Sequence, residues 1–183
     1  MKSYIRLLSV FFYCILISCS KSPDNHKVQG WNILSNIRED ALVTISAAKE
    51  YNINHIQLSH QIIMYLREVR NTDKRELINE LVDKAHAAGI KEVTLWEHSL
   101  YKLDYYPDEF RTGPKGTIDL DNPAFWEWFK EDYRSMLNLI PNVDGLVLTV
   151  TETGARIEHQ YAEKLKSTPE KLATLINAIA DVV

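Results

Sequence analysis

The chain has 183 residues, 45% hydrophobic and 10% aromatic, which is enough apolar material for a sizeable core. Acidic residues outnumber basic ones, 25 against 21, and no basic run occurs, which argues against nucleic acid as a partner. The six histidines are scattered, with no His-x-x-x-His or paired-cysteine spacing, so neither a metal nor a cofactor is expected. A serine nucleophile lacks support, because no Gly-x-Ser-x-Gly elbow is present.

Residues 1–18 read as a signal peptide. Lys2 and Arg6 give a basic start, and Leu7 to Ile17 is almost wholly apolar but short for a membrane span. The segment closes Leu16-Ile17-Ser18-Cys19, which resembles a bacterial lipoprotein lipobox. That resemblance implies cleavage before Cys19, lipidation of its thiol and a membrane-anchored protein of the cell envelope; the alternative is a plain secretory signal. Cleavage would also remove Cys14, leaving no pair of thiols for an internal disulfide. Residues 19–29 are polar and unpatterned, a tether, and 30–183 form the folded body.

The body alternates strand and helix. Trp31–Ser35 is a first strand, followed by a helix from Asn36 with Glu39 as capping partner and Ile37, Val43, Ala47 and Tyr51, with Leu42 and Ile45 between them, on its buried side. A second strand runs His55–Ser59. The next helix has a cap signature at Asp73 and Glu76, an apolar stripe from Leu77 to Ala88, and Gly89 as its stop. Glu92–Trp96 is the third strand. After a long insertion, Asn122-Pro123 opens a helix carrying Trp126, Phe129, Tyr133 and Met136 on one side. A fourth strand follows Asp144-Gly145, and Thr168-Pro169 opens the last helix.

Such alternation implies parallel strands joined by right-handed crossovers, hence α/β. An open doubly wound sheet competes with part of a barrel. No glycine-rich phosphate turn follows the first strand, and Gln57, Ser59, Thr94, Trp96, His98, Thr149 and Thr151 place polar groups on one parity of their strands, as at a barrel mouth. A full TIM barrel takes about 250 residues, so the chain reads as an incomplete half barrel of four βα units. Its first and fourth strands would then be open edges that invite self-association.

The insertion, residues 97–121, is long for a connection without secondary structure, and its aromatics argue against disorder. Tyr101, Tyr105 and Tyr106 beside Trp96 suit a platform for a sugar face, and Arg111 suits a hydroxyl or carboxylate. The competing reading is that these rings pin the loop to the body. His98 is either a hydroxyl ligand or a structural histidine.

The fourth strand runs into Thr151-Glu152-Thr153-Gly154-Ala155-Arg156, and polar side chains at such a strand end are how α/β enzymes present chemistry. Together with Trp96-Glu97-His98-Ser99-Leu100-Tyr101 and Leu120-Asp121-Asn122-Pro123-Ala124-Phe125-Trp126, this segment resembles the first half of bacterial TIM-barrel glycoside hydrolases, nearest to the α-glucuronidase type. The resemblance implies carbohydrate as ligand and Glu152 as general acid. The family's Gln-Pro-Gly after its glutamate-glycine pair is missing, and Thr153 separates Glu152 from Gly154, which leaves the glutamate's register open by one residue. Arg156 and His159 would hold a uronate carboxylate or orient Glu152, although Arg156 pairs equally well with Glu158 or Glu163. Strict alternation from Thr149 and Thr151 would aim Glu152 away from the interior, so its role requires the strand to end or bulge first. The second carboxylate of such an enzyme comes from a later strand, so the alternative is a non-catalytic carbohydrate-binding lipoprotein or an inactive remnant.

Overall fold

The computed structural model describes residues 27–183. The predicted signal peptide, Cys19 and most of the tether lie outside the described residues. Four strands, β1 (Gly30–Ile33), β2 (His55–Leu58), β3 (Glu92–His98) and β4 (Gly145–Thr149), alternate with helices α1 (Arg38–Ala48), α2 (Thr72–Ala87), α3 (Pro123–Leu137) and α4 (Thr168–Ala180). The strands form one parallel sheet in the order β1-β2-β3-β4. The order never reverses, so right-handed crossovers deliver their helices to the same face each time. A doubly wound sheet requires a reversal, and these four strands contain none.

Register separates the two faces. Ile33, Ile56, Leu58, Val93 and Leu95 align across the sheet and are sealed beneath the helices. The intervening residues Asn32, Gln57, Thr94, Trp96 and Val147 align on the opposite face and keep contact with solvent. Gly30 begins this second face because a Cβ there would lie 2.7 Å from the His55 ring, which itself bonds Thr94 Oγ1 at 3.0 Å. The architecture is thus α/β, with a four-stranded parallel sheet and its crossover helices on one side.

Several helix starts differ from their sequence-based placement. For α1 the work falls to Ser35, whose hydroxyl accepts from the Ile37 amide at 3.1 Å and donates to Asp40 at 2.9 Å, so Asn36 is not its cap. Its buried residues are Ile45, as expected, with Ala41 and Ala48, whereas Val43 is 70% exposed and Tyr51 58%. The two alanines let the helix approach the sheet closely, and the spacing of 41, 45 and 48 fits one face better than the bulkier Ile37–Val43–Tyr51 set. Asn71, rather than Asp73, caps α2 through Lys74 N at 3.0 Å. Ser167, rather than Thr168, caps α4 in a reciprocal pair with Glu170. The Asn122-Pro123 start of α3 is as expected, with Asn122 Oδ1 accepting from Ala124 N at 3.0 Å.

The insertion is ordered by burial. Three short 3-10 turns interrupt it, and Tyr101, Tyr106 and Phe110 pack into a network of rings with Phe125, Trp128 and Phe129 of α3. Its far end is tied to the segment after β4: Leu120 N donates to Tyr161 O at 2.9 Å, and Tyr161 N to Ile118 O at 3.0 Å. Asp121 accepts from the amides of Glu163 and Lys164.

Candidate functional site

The carboxyl ends of β2, β3 and β4 converge on one rim. Parallel register sets His98 beside Thr149, and Ser99 reinforces this by donating both its amide and its hydroxyl to Thr149 O. Alternation along β3 sends Trp96 and His98 to the uncovered face and turns Glu97 toward the helices.

Around Trp96 and His98 stand two rings from the segment after β2. His60 meets Trp96 edge-on at 5.5 Å, Trp96 meets His98 at 6.0 Å, and Tyr65 lies 5.2 Å from His98. The His98 Nδ1 lies 2.7 Å from Met64 O, which assigns its proton to that nitrogen and leaves Nε2 as an acceptor. The Gln61 amide at 3.0 Å likewise makes His60 Nε2 an acceptor. Arg67 extends the row, its guanidinium 4.9 to 5.1 Å from the centres of the Tyr65, Tyr101 and Tyr105 rings. On the uncovered face, Trp96 Nε1 and Gln57 Nε2 are buried without a hydrogen-bond partner among the described residues.

Glu97 holds this row in place. It is fully buried, takes the Leu66 amide on Oε2 at 2.5 Å, and bonds the Tyr133 hydroxyl through Oε1 at 2.7 Å. Burial pushes its carboxyl up to about 8, and the hydrogen bonds from Tyr133 and Leu66 offset only part of that. The group is therefore mostly protonated at neutral pH and clamps the 3-10 turn Leu66–Arg70, which begins next to Tyr65. Burial likewise pushes the Tyr101 and Tyr133 phenols well up, with the nearby Glu97 adding to it.

The expected sugar platform is divided by the fold. Tyr101 and Tyr106 are buried, with Tyr106 Oη accepting from the Tyr101 amide at 3.1 Å and Tyr101 Oη accepting from the Arg67 amide at 3.1 Å. They support the rim from below instead of presenting faces on it. Tyr105 is half-buried and bound to Arg70 and Asp132, both at 2.6 Å. Arg111 is paired with Asp108. Only Trp96 and His98 of the predicted set share the uncovered face.

Glu152 lies three residues past the end of β4, in a bend, so the strand alternation that would have turned it away from the interior no longer applies. Its side chain is exposed and bonds no described residue. Gly154 packs on Lys102, a Cβ there falling 3.2 Å from its Cγ, which seats this bend against the segment leaving β3. Arg156 and Glu158 form an ion pair, and the exposed His159 sits in the adjoining 3-10 turn. Neither is drawn to Glu152 by a bond.

Neither the protein-family models nor the curated proteins contain a match to this chain.

Sequence reasoning missed His60, Tyr65 and Arg67. His60 follows Gln57 and Ser59, the polar parity of β2, and that position was a usable signal. Tyr65 and Arg67 enter only because the buried Glu97 pins Leu66, a contact between positions 31 residues apart. Chemically, these strand ends offer ring edges and faces, an imidazole acceptor at His98 Nε2 and an imidazole donor at His60 Nδ1, with the exposed Glu152 carboxylate in the bend after β4, a set suited to hydroxylated, ring-shaped ligands.

Proposed function

We propose that the chain is the first half of a TIM-barrel domain of glycoside hydrolase type, binding oligosaccharide across Trp96, His98, His60 and Tyr65. The observation that carries this reading is the cluster of those four side chains at the carboxyl ends of β2 and β3, on the face the helices leave open. Active groups of parallel α/β folds gather at that end of the sheet. In this reading Trp96 packs against a sugar ring, His98 Nε2 accepts from a hydroxyl, His60 Nδ1 donates to one, and Glu152 protonates the departing oxygen. Cys19 carries the lipid that holds the protein at the cell envelope.

Calorimetric titration with neutral and uronate-capped oligosaccharides, alongside hydrolysis of aryl glycosides, tests the reading. Binding that disappears in Trp96→Ala, with hydrolysis that disappears in Glu152→Gln, is the expected result. No binding by the intact chain would overturn it. A second reading, carbohydrate binding without catalysis, is favoured by the exposure of Glu152 and its lack of an orienting partner among the described residues. Under that reading Glu152→Gln binds as the parent does, and the parent hydrolyses nothing. Incorporation of radiolabelled palmitate, lost in Cys19→Ala, tests the anchor.

A further inference from the structure

We propose that Arg67 sets the specificity of this rim by holding an anionic substituent of the saccharide, a carboxylate or a sulfate ester. The inference rests on the carbohydrate reading and adds to it the charge of the ligand. Arg67 belongs to the 3-10 turn Leu66–Arg70, directly after Tyr65. Its guanidinium lies 4.9 Å from the centre of the Tyr101 ring and 5.1 Å from those of Tyr65 and Tyr105. The side chain is half-buried, its guanidinium bonds no acceptor among the described residues, and none of its nitrogens is closed off from solvent.

The other described arginines are engaged. Arg38, Arg70, Arg111, Arg134 and Arg156 each pair with a carboxylate, and Arg75 bonds the Val69 carbonyl. The carboxylates around the Arg67 turn are also committed. Glu68 accepts from the Tyr65 amide at 3.2 Å and faces Lys74. Asp132 takes Arg70 at 2.7 Å and the Tyr105 hydroxyl at 2.6 Å, and Glu97 is sealed beneath the sheet. A chain with more acidic than basic residues thus leaves this cation without a counter-charge among the described residues. It does so one ring away from His98, because Tyr65 adjoins both. The three rings hold the guanidinium by cation–π attraction and use none of its N–H donors. Its fork is therefore positioned before a ligand arrives, and it matches two oxygens of a carboxylate or sulfate bidentately. Aromatic walls also weaken the screening of such an ion pair.

Calorimetric titration of the full chain with three matched oligosaccharides tests the inference: one neutral, one ending in a uronate and one with a sulfate ester at the same end. The anionic ligands should bind about tenfold more tightly than the neutral one, a gap that narrows with added salt. Arg67→Gln should erase the gap while keeping the neutral ligand's affinity and the parent's far-ultraviolet circular dichroism. Arg67→Lys, which retains the charge but not the fork, should keep part of it. Either anion supports the inference, and the tighter of the two names the substituent. Equal binding of neutral and anionic ligands by the parent would overturn it and leave the carbohydrate reading standing. A preference that survives Arg67→Gln would overturn it too and put the anion elsewhere. If none of the three binds, the carbohydrate reading falls and this inference with it.

Discussion

The two faces of the sheet are built from the same four strands, yet they differ in every respect that matters for function. On the helix side Ile56, Leu58, Val93 and Leu95 are completely sealed. On the other side Gln57, Thr94 and Trp96, their immediate neighbours in sequence, remain partly open, and Gln57 Nε2 and Trp96 Nε1 have no partner among the described residues. The apolar core is concentrated on the first face and the candidate site on the second. Glu97 is the exception that joins them: a carboxyl on the sealed side whose one bond to Leu66 shapes the open side.

The contrast is most easily broken at Leu95. Leu95→Ala removes a sealed side chain and should cost about 2–5 kcal/mol in chemical denaturation, against about 1 kcal/mol or less for Thr94→Ala one position away. Equal losses would mean that the faces are not energetically distinct.

The next largest effect concerns pH. Glu97 is raised by burial to about 8 in the fold, from an ordinary value of 4.5. An acid raised by folding contributes fully below its unfolded value and loses that contribution as pH climbs toward the folded one. Stability should therefore fall between about pH 4.5 and 8, by no more than about 1.4 kcal/mol per pH unit, and level off above. Glu97→Gln should flatten this slope; an unchanged slope would show that Glu97 is not its source.

Trp96→Ala sharpens the comparison from the other side. It should weaken oligosaccharide binding about tenfold, or about 1.4 kcal/mol, and leave the unfolding midpoint nearly unmoved. Tyr106→Phe should do the reverse, costing about 1 kcal/mol of stability through the lost bond to the Tyr101 amide without altering binding. The smallest effect is expected far from either face: Ser167→Ala removes the reciprocal cap of α4 and should cost about 1 kcal/mol, with binding intact.

Much of the site was written in local pattern. The polar parity of β2, β3 and β4 placed Trp96 and His98 on the open face, because alternation along a strand is fixed by backbone geometry. The insertion's tyrosines illustrate the limit. Tyr101, Tyr105 and Tyr106 look alike in sequence, but α3 and the Leu66–Arg70 turn bury the first and third and bind the second through Arg70 and Asp132. Nothing local distinguishes a ring that faces a ligand from one that faces Phe125.

The sequence by itself determined the run of strands and helices, their parallel direction and the cap at Asn122, since these follow from short-range periodicity and backbone chemistry. Tertiary structure alone decided which rings were sealed, where β4 ended ahead of Glu152, and that a buried, protonated Glu97 would anchor the segment carrying Tyr65. Those outcomes depend on contacts between distant positions, and a side chain's burial and protonation are set by the neighbours that packing brings to it.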